Sequence, residues 1–506
     1  MISSRSFACL WLAATAFVHL ALVASGRWPL TADEAHYWEW SRRLDWSYYS
    51  KGPLVAYLIA LSTRLGGHTE IWVRLPAVLL GTLTGMLGWL LARRTFGDRA
   101  AGLALVFLSV LPLYAAGGLL MTIDAPFVCC WALAWWCLSH VGPHRGELAW
   151  YGAGVAFGLG LLSKYTMLML VPCVGFWLAG SPALRRWLWR REPHDGLLLG
   201  LLIFSPVLVW NARHGWVSLR HVLGQALVGA GRSWSPVSAP EFVGSQIAAV
   251  SPLLLILCLA GLAWCQKEGA RRERDDVRLI VCASAPVLIF FLAWSLLSKV
   301  QANWAAHAYV TAAIAAAGWC VRRSPGGHSQ RTVRSLNGFV LASIMLPIMA
   351  MPILLEPNLL QGVHVPVPGW LDFVPKHVRG WPELGQTVGS IRERARQPIF
   401  IASDRYQIAS ELAFYVPGQP RTYTANFDRR MNQYDVWGGW DVLRAQDGIF
   451  VTYGADAPPA ELREAFDTLE PAQWVTITEH GRSLQRFVIY QGHGFRGFPP
   501  RPFAGW

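Results

Sequence analysis

The sequence has no GxxxxGK[ST] phosphate loop, no HExxH zinc motif and no G-x-S-x-G elbow. Their absence removes P-loop nucleotide chemistry, zincin hydrolysis and α/β-hydrolase chemistry. Cysteine is missing from everything after Cys320. The nine present (Cys9, Cys129, Cys130, Cys137, Cys173, Cys258, Cys265, Cys282 and Cys320) all fall within or at the ends of apolar segments. No pair has disulfide-framework or metal-ligand spacing in a soluble segment, so they read as small apolar packers. Long apolar runs stop at residue 356, and no internal repeat or low-complexity tract is visible.

What is present is membrane-like: 53% hydrophobic residues and 27 Trp in 506. Runs of about 18 or more apolar residues with few charges read as spanning helices. They occur at roughly 7–25, 71–92, 100–117, 122–140, 148–163, 165–180, 196–212, 243–264, 279–297, 303–320 and 335–355. These are about eleven spans of a polytopic α-helical domain, residues 1–356 with an outer loop 26–70, followed by a soluble domain, 357–506. The first run is longer than a signal-peptide core and reads as a retained anchor.

The formal charge of +13 could suit nucleic acid, but its distribution excludes that. Arginine clusters at 93–99, 185–191, 271–274 and 322–331 fall on one side if the spans alternate. This is the positive-inside pattern. It leaves loop 26–70, Asp124, Lys164, loop 213–242, Lys299 and the soluble domain on the opposite, outer face. In that domain, 398–402 and 448–453 read as buried strands, 407–415 and 459–469 as helices, and 474–478 with 486–490 as a hairpin. Together they predict a small α/β domain, opened by a Pro-rich stretch and closed by a loosely ordered tail at 496–506.

The residues that could carry chemistry gather on that outer face. Asp33 and Glu34 follow the first span, inside the aromatic segment Tyr37, Trp38, Trp40, Tyr48 and Tyr49. Paired carboxylates there suit a general base or a ligand for a hard divalent cation; as a plain alternative they cap a surface helix. Asp124 enters the fourth span and needs a partner or a wet cavity; as a plain alternative it too caps a helix. Lys51, Lys164 and Lys299 stand at outer helix ends, against the positive-inside bias, which points to an anionic ligand rather than to snorkelling alone. The scattered histidines His36, His214, His221 and His307 read as structural.

Thr31-Ala-Asp33-Glu34, Tyr48-Tyr49-Ser50-Lys51-Gly52-Pro53-Leu54, Met121-Thr-Ile-Asp124-Ala-Pro126, Ser163-Lys164-Tyr165 and Gln301-Ala-Asn303-Trp304 occur in that order. This succession resembles the GT-C membrane glycosyltransferases that use polyprenyl-phosphate sugars. The nearest groups are the lipid A aminoarabinose and lipopolysaccharide galacturonic acid transferases, related to the protein O-mannosyltransferases. The resemblance extends more weakly to Asp404-Arg405-Tyr406-Gln407 and Gln433-Tyr434-Asp435. It implies an inverting transferase in a bacterial inner membrane with a periplasmic C-terminal domain. The donor would be a polyprenyl-phosphate sugar and the acceptor lipid A, lipopolysaccharide or another envelope molecule.

In that scheme Asp33, Glu34 and Asp124 are the catalytic acids, and Lys51, Lys164 and Lys299 hold the donor phosphate. His36, Tyr37, Tyr49, Asn303, Tyr406 and Gln407 line the sugar or acceptor site. Asp33 and Asp124 would hold a divalent cation if one takes part. Aminoarabinose enzymes carry a Glu immediately before the phosphate lysine, where this chain has Ser50, and Lys-Gly-Pro replaces Lys-Pro-Pro. The competing readings are protein O-glycosylation and, in a different class, a lipid-linked-sugar transporter with charges at mid-bilayer in broken helices.

Overall fold

The computed structural model describes residues 3–227, 238–323, 330–356, 359–362, 378–454, 457–479, 482–499 and 503. Apolar periodicity builds a helical bundle from residue 4 to residue 355. Six helices are long and apolar enough to cross a membrane among the described residues, including α1 (Ser4–Ala24). The remaining expected spans are shorter or broken, so eleven full-length spans is more than the helix lengths supply. The expected span 100–117 breaks before Pro112. The span 243–264 breaks at Ser251, whose φ is +79°, with Pro252 starting the next helix. Proline lacks the N–H that would continue the preceding helix, which explains both interruptions.

Loop 26–70 contains two helices rather than an irregular aromatic loop. Helix α2 (Ala32–Ser41) starts at Thr31, whose side chain accepts from the Glu34 N–H while Glu34 reaches back, forming a capping box. Helix α3 (Leu54–Gly66) follows Pro53 and leads to α4 (Glu70–Phe96). Helix α5 (Asp98–Val110), the short α6 (Pro112–Gly117), α7 (Asp124–Leu138) and α8 (Glu147–Leu161) complete the part that frames the site. The interior packs Phe107, Trp131, Trp135 and Trp177 against the wholly buried stretch Ala308–Ala317. Helix α8 meets the helix Arg191–Arg213 through glycine: a Cβ on Gly154 would lie 2.1 Å from the Gly196 carbonyl oxygen. Small residues let two backbones approach this closely where lipid gives no hydrophobic drive.

The C-terminal region is a six-stranded sheet with helices, as the strand pattern implied. Strand order is β2 (Thr422–Thr424), β1 (Ile399–Ser403), β3 (Asp447–Tyr453), β6 (Arg482–Phe495), β4 (Phe466–Leu469), with β5 (Gln473–Glu479) also on β6. Pairings β1–β2 and β1–β3 are parallel; those of β6 are antiparallel, including the expected hairpin with β5. Alternation sends Ile401 and Ile449 to one face, under the helices Trp381–Arg394 and Tyr406–Tyr415, and Phe400 and Phe450 to an aromatic layer on the other. The expected helix 459–469 ends at Ala465 because the chain from Phe466 pairs with β6, Phe466 opposite Phe495. The expected junction after residue 356, the Pro-rich stretch and most of the 496–506 tail adjoin or fall outside the described residues.

Candidate active site

The site is assembled on Glu34. Its Oε1 accepts from Arg74 Nε (2.8 Å) and the Met121 N–H (2.9 Å). Its Oε2 accepts from an Arg74 terminal nitrogen (2.7 Å) and the Thr31 N–H (3.0 Å). Arg74 also donates to the carbonyls of Trp28 and Pro29. One fully buried carboxylate therefore ties α2, α4 and the turn leading to Asp124. Burial pushes Glu34 upward, but the Arg74 charge and hydrogen bonds outweigh it and hold its pKa below the ordinary value. Every strong acceptor direction is used, so Glu34 stands behind the site rather than in it.

Asp33, one residue earlier, faces the other way. It is open to solvent, yet protein surrounds it, and its Oδ1 accepts from the Tyr406 hydroxyl at 3.1 Å. Burial raises its pKa; the Tyr406 hydrogen bond and Lys51 oppose this, and Glu34 and Asp124 add to it. Lys51 is pulled down to about 8, first by burial and then by Lys164, with Asp124 and Asp33 opposing. Lys51 thus lies within electrostatic reach of Asp33, Asp124 and Lys164. The Lys51 turn is pressed on the end of α8: a Cβ on Gly52 would lie 2.1 Å from the Leu162 carbonyl oxygen, which also accepts from the Leu54 N–H at 3.0 Å. Two residues beyond Leu162 stands Lys164.

Asp124 does not cap α7 through its side chain. Its Oδ1 accepts from Lys164 Nζ (2.7 Å) and its Oδ2 from Asn303 Nδ2 (2.6 Å). From this end a cavity of ≈ 250 Å³ runs between α1, α4, α5 and α6. Asp124, Asn303 and Thr122 line its polar end, and Leu12, Leu108 and Val128 its apolar wall. The open end of a cluster of charge thus continues into an apolar groove.

Other expected residues sit elsewhere. Lys299 is exposed, and among the described residues it makes no hydrogen bond or ion pair with the acids. His36 is buried between α2 and the C-terminal unit: Trp40 Nε1 donates to its Nε2 (3.2 Å), so Nδ1 carries the proton toward Ser410 Oγ (3.0 Å). Burial depresses its pKa to about 3, leaving it neutral. Tyr49 is buried against His221, and its N–H donates to Gln433 Oε1 at 2.6 Å. Tyr37 is buried close enough to Asp33 and Asp124 to feel both charges. Gln407 is half-buried and, among the described residues, has no hydrogen bond to the site.

For a divalent cation the donor set is poor. No group of three His, Cys, Asp or Glu that could hold a metal occurs among the described residues. Both Asp124 oxygens are already taken by donors. Sequence reasoning missed Arg74, whose signal is a lone arginine inside the apolar run 71–92. It also missed the buried Ser410, which leaves no local signal, and gave no site role to Tyr434, although that residue lies in the Gln433-Tyr434-Asp435 segment; the two join His36 across the two regions (Ser410 Oγ to Tyr434 OH, 3.0 Å).

Residues 50–210, which hold Lys51, Asp124 and Lys164, match the dolichyl-phosphate-mannose-protein mannosyltransferase family. The fold superposes on ArnT from Cupriavidus metallidurans bound to undecaprenyl phosphate with a TM-score of 0.63, at 16% identity, covering 95% of this chain and 97% of that one. Together these define a multi-pass membrane glycosyltransferase with a GT-C-type fold. Among particular proteins, the chain is 27% identical over 386 residues to the lipid A galacturonosyltransferase of Rhizobium johnstonii, covering 74% of this chain and 76% of that one. It is 30% identical over 176 residues to the undecaprenyl phosphate-alpha-4-amino-4-deoxy-L-arabinose arabinosyl transferase of Erwinia tasmaniensis, covering 33% of this chain and 30% of the relative.

Proposed function

We propose that the protein moves a sugar from a polyprenyl-phosphate donor to lipid A or a related envelope acceptor, with inversion, at the periplasmic face of the inner membrane. The observation that carries this reading is the continuity of the Asp33–Lys51–Lys164–Asp124 cluster with the apolar groove. A carrier lipid has that shape: an apolar chain with a phosphate at one end. Acceptor oxygen attacks the anomeric carbon, the bond from that carbon to the carrier phosphate oxygen breaks, and the phosphate gains a negative charge. Lys51 faces that charge in a site with little water, where fixed positive charge is worth most. Lys164, held by Asp124, supports it.

Asp33 orients the acceptor. A hydroxyl acceptor needs it as a base, and its raised pKa suits that task. A phosphate acceptor is already ionised and needs only positioning. Glu34 is a positioning residue, since Arg74 neutralises it, and Lys299 has no part. The sugar we favour is a uronic acid. The galacturonosyltransferase matches over most of both chains, whereas the aminoarabinose relative matches about a third, and Ser50 replaces the Glu of those enzymes. The sheet unit, read as residues 357–506, is periplasmic and closes the site with Tyr406.

The test is transfer by the purified protein in detergent or nanodiscs. Polyprenyl-phosphate galacturonic acid is supplied with lipid A, and the acceptor is read by mass spectrometry for a hexuronic acid increment. No increment with any polyprenyl-phosphate sugar, or full transfer by Asp33→Asn combined with Lys51→Ala, overturns the reading.

A further inference from the structure

Helix α2 and the helix Tyr406–Tyr415 of the sheet unit meet along one seam, and Asp33 lies at its open end. On α2, His36 stands three residues after Asp33, and Trp40 four after His36, spacings that share a helix face. On the facing helix, Tyr406, Ser410 and Phe414 recur every four residues. The Tyr406 ring lies 4.7 Å from the His36 ring, while its hydroxyl reaches back one turn of α2 to Asp33 Oδ1 at 3.1 Å. Ser410 takes the His36 Nδ1 proton at 3.0 Å, and Phe414 stands edge-on to Trp38 at 4.9 Å. At the far end of the seam the Leu30 N–H donates to the Tyr415 hydroxyl at 2.7 Å.

Packing alone explains neither His36 nor the Tyr406 hydroxyl. Leucine would fill the buried place of His36, and phenylalanine that of the Tyr406 ring. What the imidazole adds is direction. Trp40 Nε1 occupies its Nε2, so the Nδ1 proton points to Ser410, which is then free to donate to the Tyr434 hydroxyl at 3.0 Å. A neutral ring locked at both nitrogens seats Tyr406. Among the described residues the Tyr406 hydroxyl has one partner, Asp33. Asp33 Oδ1 is therefore tethered, and Oδ2, with no hydrogen bond among the described residues, is the oxygen left for the acceptor. An untethered carboxylate turns about two side-chain bonds, and misplacement by about 1 Å costs roughly a hundredfold in rate.

We propose that Tyr406 and His36 are positioning residues for the transfer: Tyr406 holds Asp33 Oδ1 so that Oδ2 meets the acceptor, and His36 acts through Tyr406. Helix α2 supplies the acid and the sheet unit supplies the hydrogen-bond donor that aims it. This rests on the reaction proposed above, so one readout is kept independent of turnover.

Tyr406→Phe keeps the ring and removes only the hydroxyl. With polyprenyl-phosphate galacturonic acid and lipid A it should lower kcat about tenfold to hundredfold. The donor dissociation constant and the melting temperature should stay at wild-type values. His36→Leu should give a similar loss, and His36→Asn, whose amide still donates to Ser410, should recover part of it. Tyr406→Phe combined with His36→Leu should be no slower than the worse single variant, because the two act in series. The readout free of turnover is the Asp33 carboxyl band in an infrared titration, assigned by its absence in Asp33→Asn. The Tyr406 hydrogen bond lowers the Asp33 pKa, so Tyr406→Phe should move that titration upward while Lys51, Glu34 and Asp124 are unchanged. An unmoved titration or an unchanged kcat in Tyr406→Phe overturns the role of Tyr406. Losses that multiply in the double variant, or His36 variants that fail to fold or that transfer normally, overturn the role of His36. A wild type that binds donor but transfers nothing refutes the reaction, and the titration still decides Tyr406.

Discussion

Lys164 Nζ donates to Asp124 Oδ1 at 2.7 Å, and both groups are largely withdrawn from solvent, the lysine almost completely. The pair holds a positive charge at the head of the groove without leaving it bare, and Asn303 occupies the other carboxylate oxygen. Removing one partner strands the other, which in buried pairs costs about 3–5 kcal/mol, and less here because Asp124 keeps some water contact. Asp124→Asn and Lys164→Met should each lower the melting temperature. The double variant should recover much of that loss, because no unpaired charge remains, while transfer stays lost in all three. A double variant with normal transfer would show that the pair is scaffold only.

Gly52 is set by a different force. With its Cβ position 2.1 Å from the Leu162 carbonyl oxygen, Gly52→Ala must push the Lys51 turn off the end of α8. Overpacking of this kind costs about 1–3 kcal/mol. The displacement falls on the phosphate side, so donor KM should rise while acceptor KM stays near wild type. Equal effects on both substrates would mean that the turn does not carry the donor site.

The pH profile follows from Lys51 and Asp33. Lys51 loses its proton through about pH 8 in the free protein, so kcat/KM for the donor should fall as pH rises past that value. Bound phosphate favours the charged form, so the corresponding limb in kcat lies higher. Lys51→Arg keeps the charge and should remove the alkaline limb if it binds at all. On the acid side, burial raises Asp33 above its ordinary 3.8. A hydroxyl acceptor then gives an acid limb above that value, and Asp33→Asn abolishes activity; a phosphate acceptor gives no limb from Asp33. A donor kcat/KM that stays flat across pH 8 would remove Lys51 from phosphate binding.

Much of this arrangement is legible in the chain because it is written in charges where charges are costly. Asp33, Lys51, Asp124, Lys164 and Asn303 stand out as polar residues at the ends of apolar runs, and all five are linked by hydrogen bonds or electrostatic reach. Long-range partnerships leave no such mark. Nothing local says that Glu34 is spent on Arg74, forty residues away, or that His36 is a neutral link to Ser410. Lys299 has the same local signature as Lys164, but its neighbourhood points it to solvent. Hydropathy runs unbroken through 100–117 and 243–264, where Pro112 and Pro252 divide the helices, because it does not register a missing N–H.

The two adjacent acids therefore separate by experiment. Glu34→Gln keeps the shape but leaves the Arg74 guanidinium, almost wholly buried, without its counter-charge. That should cost about 3–5 kcal/mol and loosen the Met121 turn that leads to Asp124, so stability and transfer fall together. Asp33→Asn removes a solvent-reachable charge with one hydrogen bond, from Tyr406, and should change stability by about 0.5 kcal/mol or less. Its loss should appear in transfer alone. Thermal unfolding and the mass-increment assay on the same two preparations decide it. If Glu34→Gln is fully stable but inactive, Glu34 works in the site and the assignment of Asp33 as the reacting acid gives way.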